Sequence, residues 1–177
     1  WSLTGAANYN DIAATPITNT IAKATATVVV APYSVTYNGA PHSSTVTSIT
    51  GVNGESGATV GAVTLNTTHT NAATYADTWS LTGAANYNNI GTTPITNTIA
   101  KATATVVVAP YSVTYDGNAH SSTVTSITGV NGESGATVGA VTLNTTHTNA
   151  ATYADTWSLT GAANYNDIAA TPITNTI

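Results

Sequence analysis

Residues 73–82 read ATYADTWSLT and alternate without a break. Tyr75, Asp77, Trp79 and Leu81 fall on one face, and Thr74, Ala76, Thr78, Ser80 and Thr82 fall on the other. Period-two alternation of this kind marks a half-buried β-strand whose Thr/Ser side faces water. The same ten residues return at 151–160. Working outward, Trp1, Trp79 and Trp157 each open the run WSLTGAANYN, always 78 residues apart. A fixed period of this size signals an array of small units. Residues 22–99 and 100–177 are two complete copies, and residues 1–21 match the C-terminal part of a preceding one. The expectation is therefore an excerpt of a longer array.

The pass along one copy gives short strands and turns, with no window of helical periodicity. Thr25–Val30, Ser34–Tyr37, His42–Thr50 and Ala58–Thr68 read as strands, and Pro94–Ile99 leads into the next copy. Asn38-Gly39 is the dipeptide favoured by a type I′ hairpin turn. Gly51–Gly57 is a glycine-rich loop, Gly61 suggests a bulge, and Gly83–Asn89 is a corner carrying Tyr87. This pattern predicts an all-β fold of tandem immunoglobulin-like antiparallel β-sandwich domains in an extended array. The predicted core is Val28, Val30, Val35, Tyr37, Val46, Ile49, Val60, Val63, Leu65, Tyr75, Trp79, Leu81, Tyr87 and Ile95, with Trp79 at its centre. A core this small gains from its neighbours in an array. The junction, TNTIAKATAT at 96–105, holds neither proline nor glycine, which predicts a short stiff joint.

Composition narrows the function classes. Only 5% of residues are charged, the net charge is −5, and there is no arginine. Nucleic-acid binding needs a basic stripe to neutralise phosphates, so it is excluded as an expectation. No apolar run approaches the roughly 20 residues of a membrane span. Disordered chains combine low hydrophobicity with high charge, and this one does not. Cysteine and methionine are both absent, which excludes disulfides and thiolate metal sites. A Thr/Asn-rich surface with few charges fits a bacterial extracellular or cell-surface polymer.

The run AKATATVVVAPYSVTYNGAPHSS…GVNGESG…TTHTNAATYADTWSLTGAANYNNI resembles the MBG-type repeats of large bacterial surface and secreted proteins. The resemblance is carried by Lys23-Ala24, Tyr37-Asn38-Gly39 with His42, Thr68–Ala72, Tyr75 with Trp79, and Asn86–Asn88. Ala72-Ala73-Thr74-Tyr75 departs slightly from the Ala-Gly-x-Tyr of that family. The resemblance implies a sandwich-like extracellular repeat of adhesin-type or filamentous proteins, and it implies no catalytic residues.

Few side chains suggest chemistry. His42, His69, His120 and His147 lack metal-ligand spacing and read as turn or hydrogen-bonding histidines. Asp77 and Asp155 fall on the Tyr/Trp face, where an unpaired carboxylate is costly. One reading is an isopeptide crosslink to lysine, but Lys23 and Lys101, the only lysines, sit at junctions. The plainer reading is an Asp accepting backbone or Tyr hydrogen bonds. Asn66-Thr67-Thr68 and Asn144-Thr145-Thr146 match the glycosylation sequon, a weak signal in a Thr-rich chain. No residue pattern selects a nucleophile or a phosphate loop, so no catalytic, cofactor or metal site is assigned.

The sequence thus leads to a non-enzymatic structural repeat, a stiff spacer or filament-forming unit of an extracellular bacterial fibre or adhesin stalk. Its expected partners are neighbouring repeats, and low charge permits lateral self-association into filaments. The alternative is a multivalent glycan- or protein-binding adhesion module, for which Tyr33 and Tyr87 are the only loop aromatics. Ice binding by flat Thr ladders is disfavoured by the glycines that interrupt them. Three of the six differences between copies surround the Asn38-Gly39 turn (Asn38/Asp116, Ala40/Asn118, Pro41/Ala119). The other three follow the Asn86–Asn88 corner (Asn89/Asp167, Gly91/Ala169, Thr92/Ala170). Both groups lie away from the predicted core.

Overall fold

The computed structural model describes all 177 residues, Trp1–Ile177. The chain is nearly all β and contains several antiparallel sheets. The first complete copy contributes β1 (Thr27–Ala31), β2 (Ser34–Thr36), β3 (Thr45–Thr50), β4 (Gly61–Asn66), β5 (Ala73–Gly83) and β6 (Ile90–Ala100). The second contributes β7 (Thr105–Ala109), β8 (Thr123–Thr128), β9 (Gly139–Asn144), β10 (Thr152–Gly161) and β11 (Ile168–Thr176). In each copy the first β-branched strand pairs antiparallel with the STVTSIT strand, β1 with β3 and β7 with β8. The second sheet runs β2-β6-β5-β4 in the first copy and β11-β10-β9 in the second.

The two sheets of the first copy close over one apolar cluster. Val60, Leu81, Tyr87 and Ala26 form its centre, and Val28 of β1, Ile49 of β3, Val63 of β4 and Ile90 of β6 pack against it. Removal of this apolar surface from water is the main favourable contribution to the fold. The alternation read from 73–82 holds, since Asp77 and Leu81 are buried while Thr74, Ala76 and Thr82 face solvent.

Four expectations are corrected. Trp79 is only partly buried and belongs to neither core cluster. Its centre is held instead by Val60, Leu81 and Tyr87. Gly61 makes no bulge, as β4 pairs with β5 in unbroken register from Gly61 to Asn66. Val60 lies before the strand, as the αR cap of the 3-10 turn Gly57–Thr59, and the bulge in the other sheet lies at Val29/Val30.

Asn38-Gly39 is no type I′ hairpin either. Such a turn needs positive φ at both residues, but only Gly39 has it, at φ 78°. The Asn38 side chain instead accepts from the Ala40 N–H at 3.0 Å, and β2 runs parallel to β6 rather than back along β3. The third strand is correspondingly shorter than expected, with His42 held outside it by a bridge to His69.

Trp1–Ile21 keeps the corner of its repeat and little else. The bridge Leu3–Ile12 and the bond from Gly5 N–H to the Asp11 carboxylate match Leu81–Ile90 and Gly83–Asn89 in the complete copy. Without the strands that flank it there, the segment forms no sheet, and Trp1, Tyr9 and Ile17 are exposed.

Gly61 lies where β4 and β5 approach closely. A Cβ there would stand 2.6 Å from the Thr82 carbonyl oxygen, whereas one at Gly91 would meet nothing. The substitution Gly61→Ala should therefore destabilise by about 1–3 kcal/mol. Gly91→Ala, which copies the Ala169 of the second copy, should stay within about 0.5 kcal/mol of the parent. Urea unfolding of both variants checks this, and equal effects would contradict the close approach.

Candidate functional site

Two arrangements dominate the chemistry of the chain, one inside each copy and one between copies. The inner one centres on Asn97, which has 0% of its surface exposed. Its place on β6 opposite Tyr75 brings it beside Asp77, two residues along β5. The Asn97 amide Nδ2 donates to Asp77 Oδ2 at 2.7 Å. Its Oδ1 accepts from the Tyr33 N–H at 2.9 Å and from the Ser44 hydroxyl at 3.0 Å. Thr67, also buried, accepts from the Ser44 N–H at 3.0 Å.

His69 completes the group. Its Nε2 lies 2.7 Å from Asp77 Oδ1, and its ring stacks on Tyr75 with centroids 3.5 Å apart. Reciprocal backbone bonds between His42 and His69 fix the loop that carries it. The second copy repeats the whole set with Asn175, Asp155, Ser122, Thr145, His147 and Tyr153.

Asp77 thus accepts from Asn97 and pairs with His69, rather than accepting from backbone or Tyr groups. Burial on its own would raise its carboxyl, but the bonds to Asn97 and His69 and the charge of the imidazole bring it below its ordinary value. Asp155 behaves alike. Lys23 and Lys101 are exposed and make no side-chain bond to either acid. The four histidines are spread over separate loops, and no three His, Asp or Glu side chains converge. The imidazole rings of His42 and His120 bond to the side chains of Asn38 and Asp116.

The second arrangement joins the copies. Tyr37, at the end of β2, leaves its own copy and seats in the next. Its hydroxyl donates to Glu133 Oε1 at 2.7 Å, and its ring meets Tyr165 edge-on with centroids 5.7 Å apart. Beside it, the Ala72 N–H donates to Asn164 Oδ1 at 2.8 Å, and Asn164 Nδ2 donates to Asn71 Oδ1 at 3.2 Å. The Gly39 turn presses against the Asn131 side chain, with no room for a Cβ.

One apolar cluster spans the boundary. It combines Tyr37 and Ile99 of the first copy with Ala102, Ala104, Val138, Leu159 and Tyr165 of the second. The connecting backbone is pinned as well, since the Ala102 N–H donates to the Asn164 carbonyl and the Ala102 carbonyl accepts from Asn166. Hydrogen bonds from Tyr37 and Tyr165 hold the Glu133 carboxyl down at about 2. The same bond to Glu133, ahead of burial, raises Tyr37; burial and then Glu133 push Tyr165 up to about 12.

Glu133, Asn164 and the outward role of Tyr37 are absent from the sequence reading, which placed Tyr37 in the core of its own copy. A signal was available. Glu55 and Glu133 are the only glutamates of a chain with very few charges, and both occupy the same loop position. No protein-family model matches the chain, and no curated protein matches it. No helix is long and apolar enough to cross a membrane.

Replacing Asn97 by Ala strips the Asp77 carboxylate and the Tyr33 N–H of a buried partner, and should cost about 2–3 kcal/mol in chemical unfolding. A change below 0.5 kcal/mol, the size of an ordinary surface substitution, would contradict a structural role. The acids also set a pH dependence. Asp77, Asp155 and Glu133 have folded-state values below their ordinary ones of 3.8, 3.8 and 4.5. Their stabilisation is complete above those ordinary values and is lost as pH falls through the depressed ones. Melting temperature should therefore fall as pH drops below about 4. A protein that gains stability on acidification through that window contradicts the assignment.

Proposed function

We propose that the chain is a non-enzymatic structural segment, built of tandem immunoglobulin-like β-sandwich repeats in an extended array. It serves as a stiff spacer or filament-forming unit of an extracellular bacterial fibre or adhesin stalk. The observation that carries this reading is the clamp between copies. A flexible tether would leave the linking residues solvated, yet Ala102 and Ala104 are buried and Tyr37 is locked onto Glu133. Each copy spends its most elaborate side-chain bonding on holding its own fold and its neighbour, as a load-carrying spacer requires.

The resemblance to MBG-type surface repeats supports the extracellular placement, as do the missing cysteine and the sparse charge. Sparse charge also leaves little repulsion between neighbouring chains, which favours lateral packing. The alternative of a multivalent glycan- or protein-binding module draws on the loop aromatics. Tyr87 is buried in the core and Tyr33 is partly buried, which weighs toward the stalk.

Thr47 and Thr125 are equivalent, exposed positions, and the chain has no native cysteine to interfere with labelling. Spin labels on Thr47→Cys/Thr125→Cys should give one narrow distance distribution by pulsed electron resonance, and Tyr37→Ala should broaden it. A broad distribution in the parent contradicts the stiff spacer. Antibody against the repeats should decorate filaments on intact producing cells; staining confined to the cytoplasm contradicts the placement. Saturable binding on a glycan array would favour the adhesion module.

A further inference from the structure

The chain contains three Asn-Gly dipeptides, Asn38-Gly39, Asn53-Gly54 and Asn131-Gly132. All three asparagines are exposed, and each following glycine has a positive φ, between 78° and 80°. Only one of the three carboxamides is held. Asn38 Oδ1 accepts from the Ala40 N–H at 3.0 Å, which fixes the orientation of the amide. His42 Nε2 lies 3.0 Å from the same oxygen, so the imidazole is the donor. Two donors thus converge on one carbonyl oxygen, while Asn38 Nδ2 makes no bond within the protein. At Asn53 and Asn131 the backbone N–H bonds to Glu55 and Glu133, and the carboxamide accepts from nothing.

An amide oxygen held this way prepares its carbon for attack. Donors aimed at an oxygen stabilise the negative charge that grows there as a nucleophile adds. The nearest nucleophile is the backbone nitrogen of Gly39, and glycine has no Cβ to obstruct the closing ring. Attack of that nitrogen on Asn38 Cγ forms a new C–N bond. The Cγ–Nδ2 bond breaks, and ammonia leaves with the proton of the Gly39 N–H. The cyclic imide then takes up one water, which opens either ring C–N bond and leaves an aspartyl or isoaspartyl residue.

We propose that Asn38 is a self-modifying residue, whose own turn promotes loss of its amide to leave an acid at position 38. The second copy shows that the turn accepts the product. Asp116 stands at the equivalent position, where its Oδ1 accepts from the Asn118 N–H at 2.9 Å and pairs with His120 Nε2 at 2.9 Å. The following glycine keeps its φ, at 80°. Those bonds, the Asn118 N–H first, hold the Asp116 carboxyl down at about 2. Modification thus gives the first copy the acidic turn that the second copy encodes. The new charge enters beside the junction, since Gly39 lies against the Asn131 side chain. The inference stands apart from the spacer reading and from where the chain resides.

Incubation of the folded full chain in neutral buffer, followed by peptide mapping with mass spectrometry, tests it. Asn38 should convert to the acid at least about 3-fold faster than Asn53 and Asn131. His42→Ala removes one donor and should slow Asn38 about 3- to 10-fold, less than the loss in a dry enzyme site because water screens the turn. That effect should be confined to Asn38, since the rates at Asn53 and Asn131 in the same molecules report any general loosening of the fold. In concentrated urea the turn is lost, and the three rates should converge to within about 2-fold. An Asn38 that reacts no faster than the other two in the folded parent overturns the inference, as does an unchanged Asn38 rate in His42→Ala. An excess at Asn38 that persists in urea also overturns it, because the neighbouring sequence and not the turn would then be the cause.

Discussion

The Asn97 carboxamide and its counterpart Asn175 are the constraint on which each copy depends. A side chain with no exposed surface must find partners for all its polar atoms, and this one finds them in three separate parts of the chain. It ties the start of β2 through Tyr33, the approach to β3 through Ser44, and β5 through Asp77. β3, which shares no ladder with β6, is thereby held to the sheet of β2, β6 and β5. The network also explains how Asp77 can sit on the buried face of β5, where His69 and Asn97 together take up both its oxygens. A core of a few aliphatic side chains does not by itself specify a unique packing; fully satisfied polar groups at its edge do.

The clamp between copies extends the same economy. Glu133 and Tyr165 belong to a loop and a corner that the fold needs anyway, and Tyr37 uses them to lock the preceding copy. The small residues of the junction, Ala102 and Ala104, let the backbone lie close against the corner, and the Ala102–Tyr165 bridge secures it. One set of side chains thus stabilises a unit and fixes its neighbour.

Much of the fold was legible in the sequence because alternation and turn residues are local. The ATYADTWSLT strand, the glycine loop and the Asn-Tyr-Asn corner all lie where period and composition place them. Errors arose where a long-range partner decides. Trp79 looks like a core centre by size, but Val60, Leu81 and Tyr87 hold that place and Trp79 stays partly exposed. Asn38-Gly39 looks like a hairpin by its dipeptide, but β2 finds β6, more than fifty residues away, before it finds β3. Asn97 sits in TNTI, a run with nothing to mark it, and only the pairing of β6 with β5 reveals what it faces. Tyr37 and Glu133 are 96 residues apart and in different copies, so no reading of a single repeat could join them.

Amide hydrogen exchange followed residue by residue tests the central claim most directly. The N–H groups of Tyr33 and Ser44 lie outside the strand ladders and have only the Asn97 and Thr67 side chains as acceptors. If the buried network organises each copy, these two amides, with Tyr111 and Ser122, are protected as strongly as the interior of β5 and open together with it. If they exchange as fast as the Gly54 amide in the open loop, the network is not what holds the copy together.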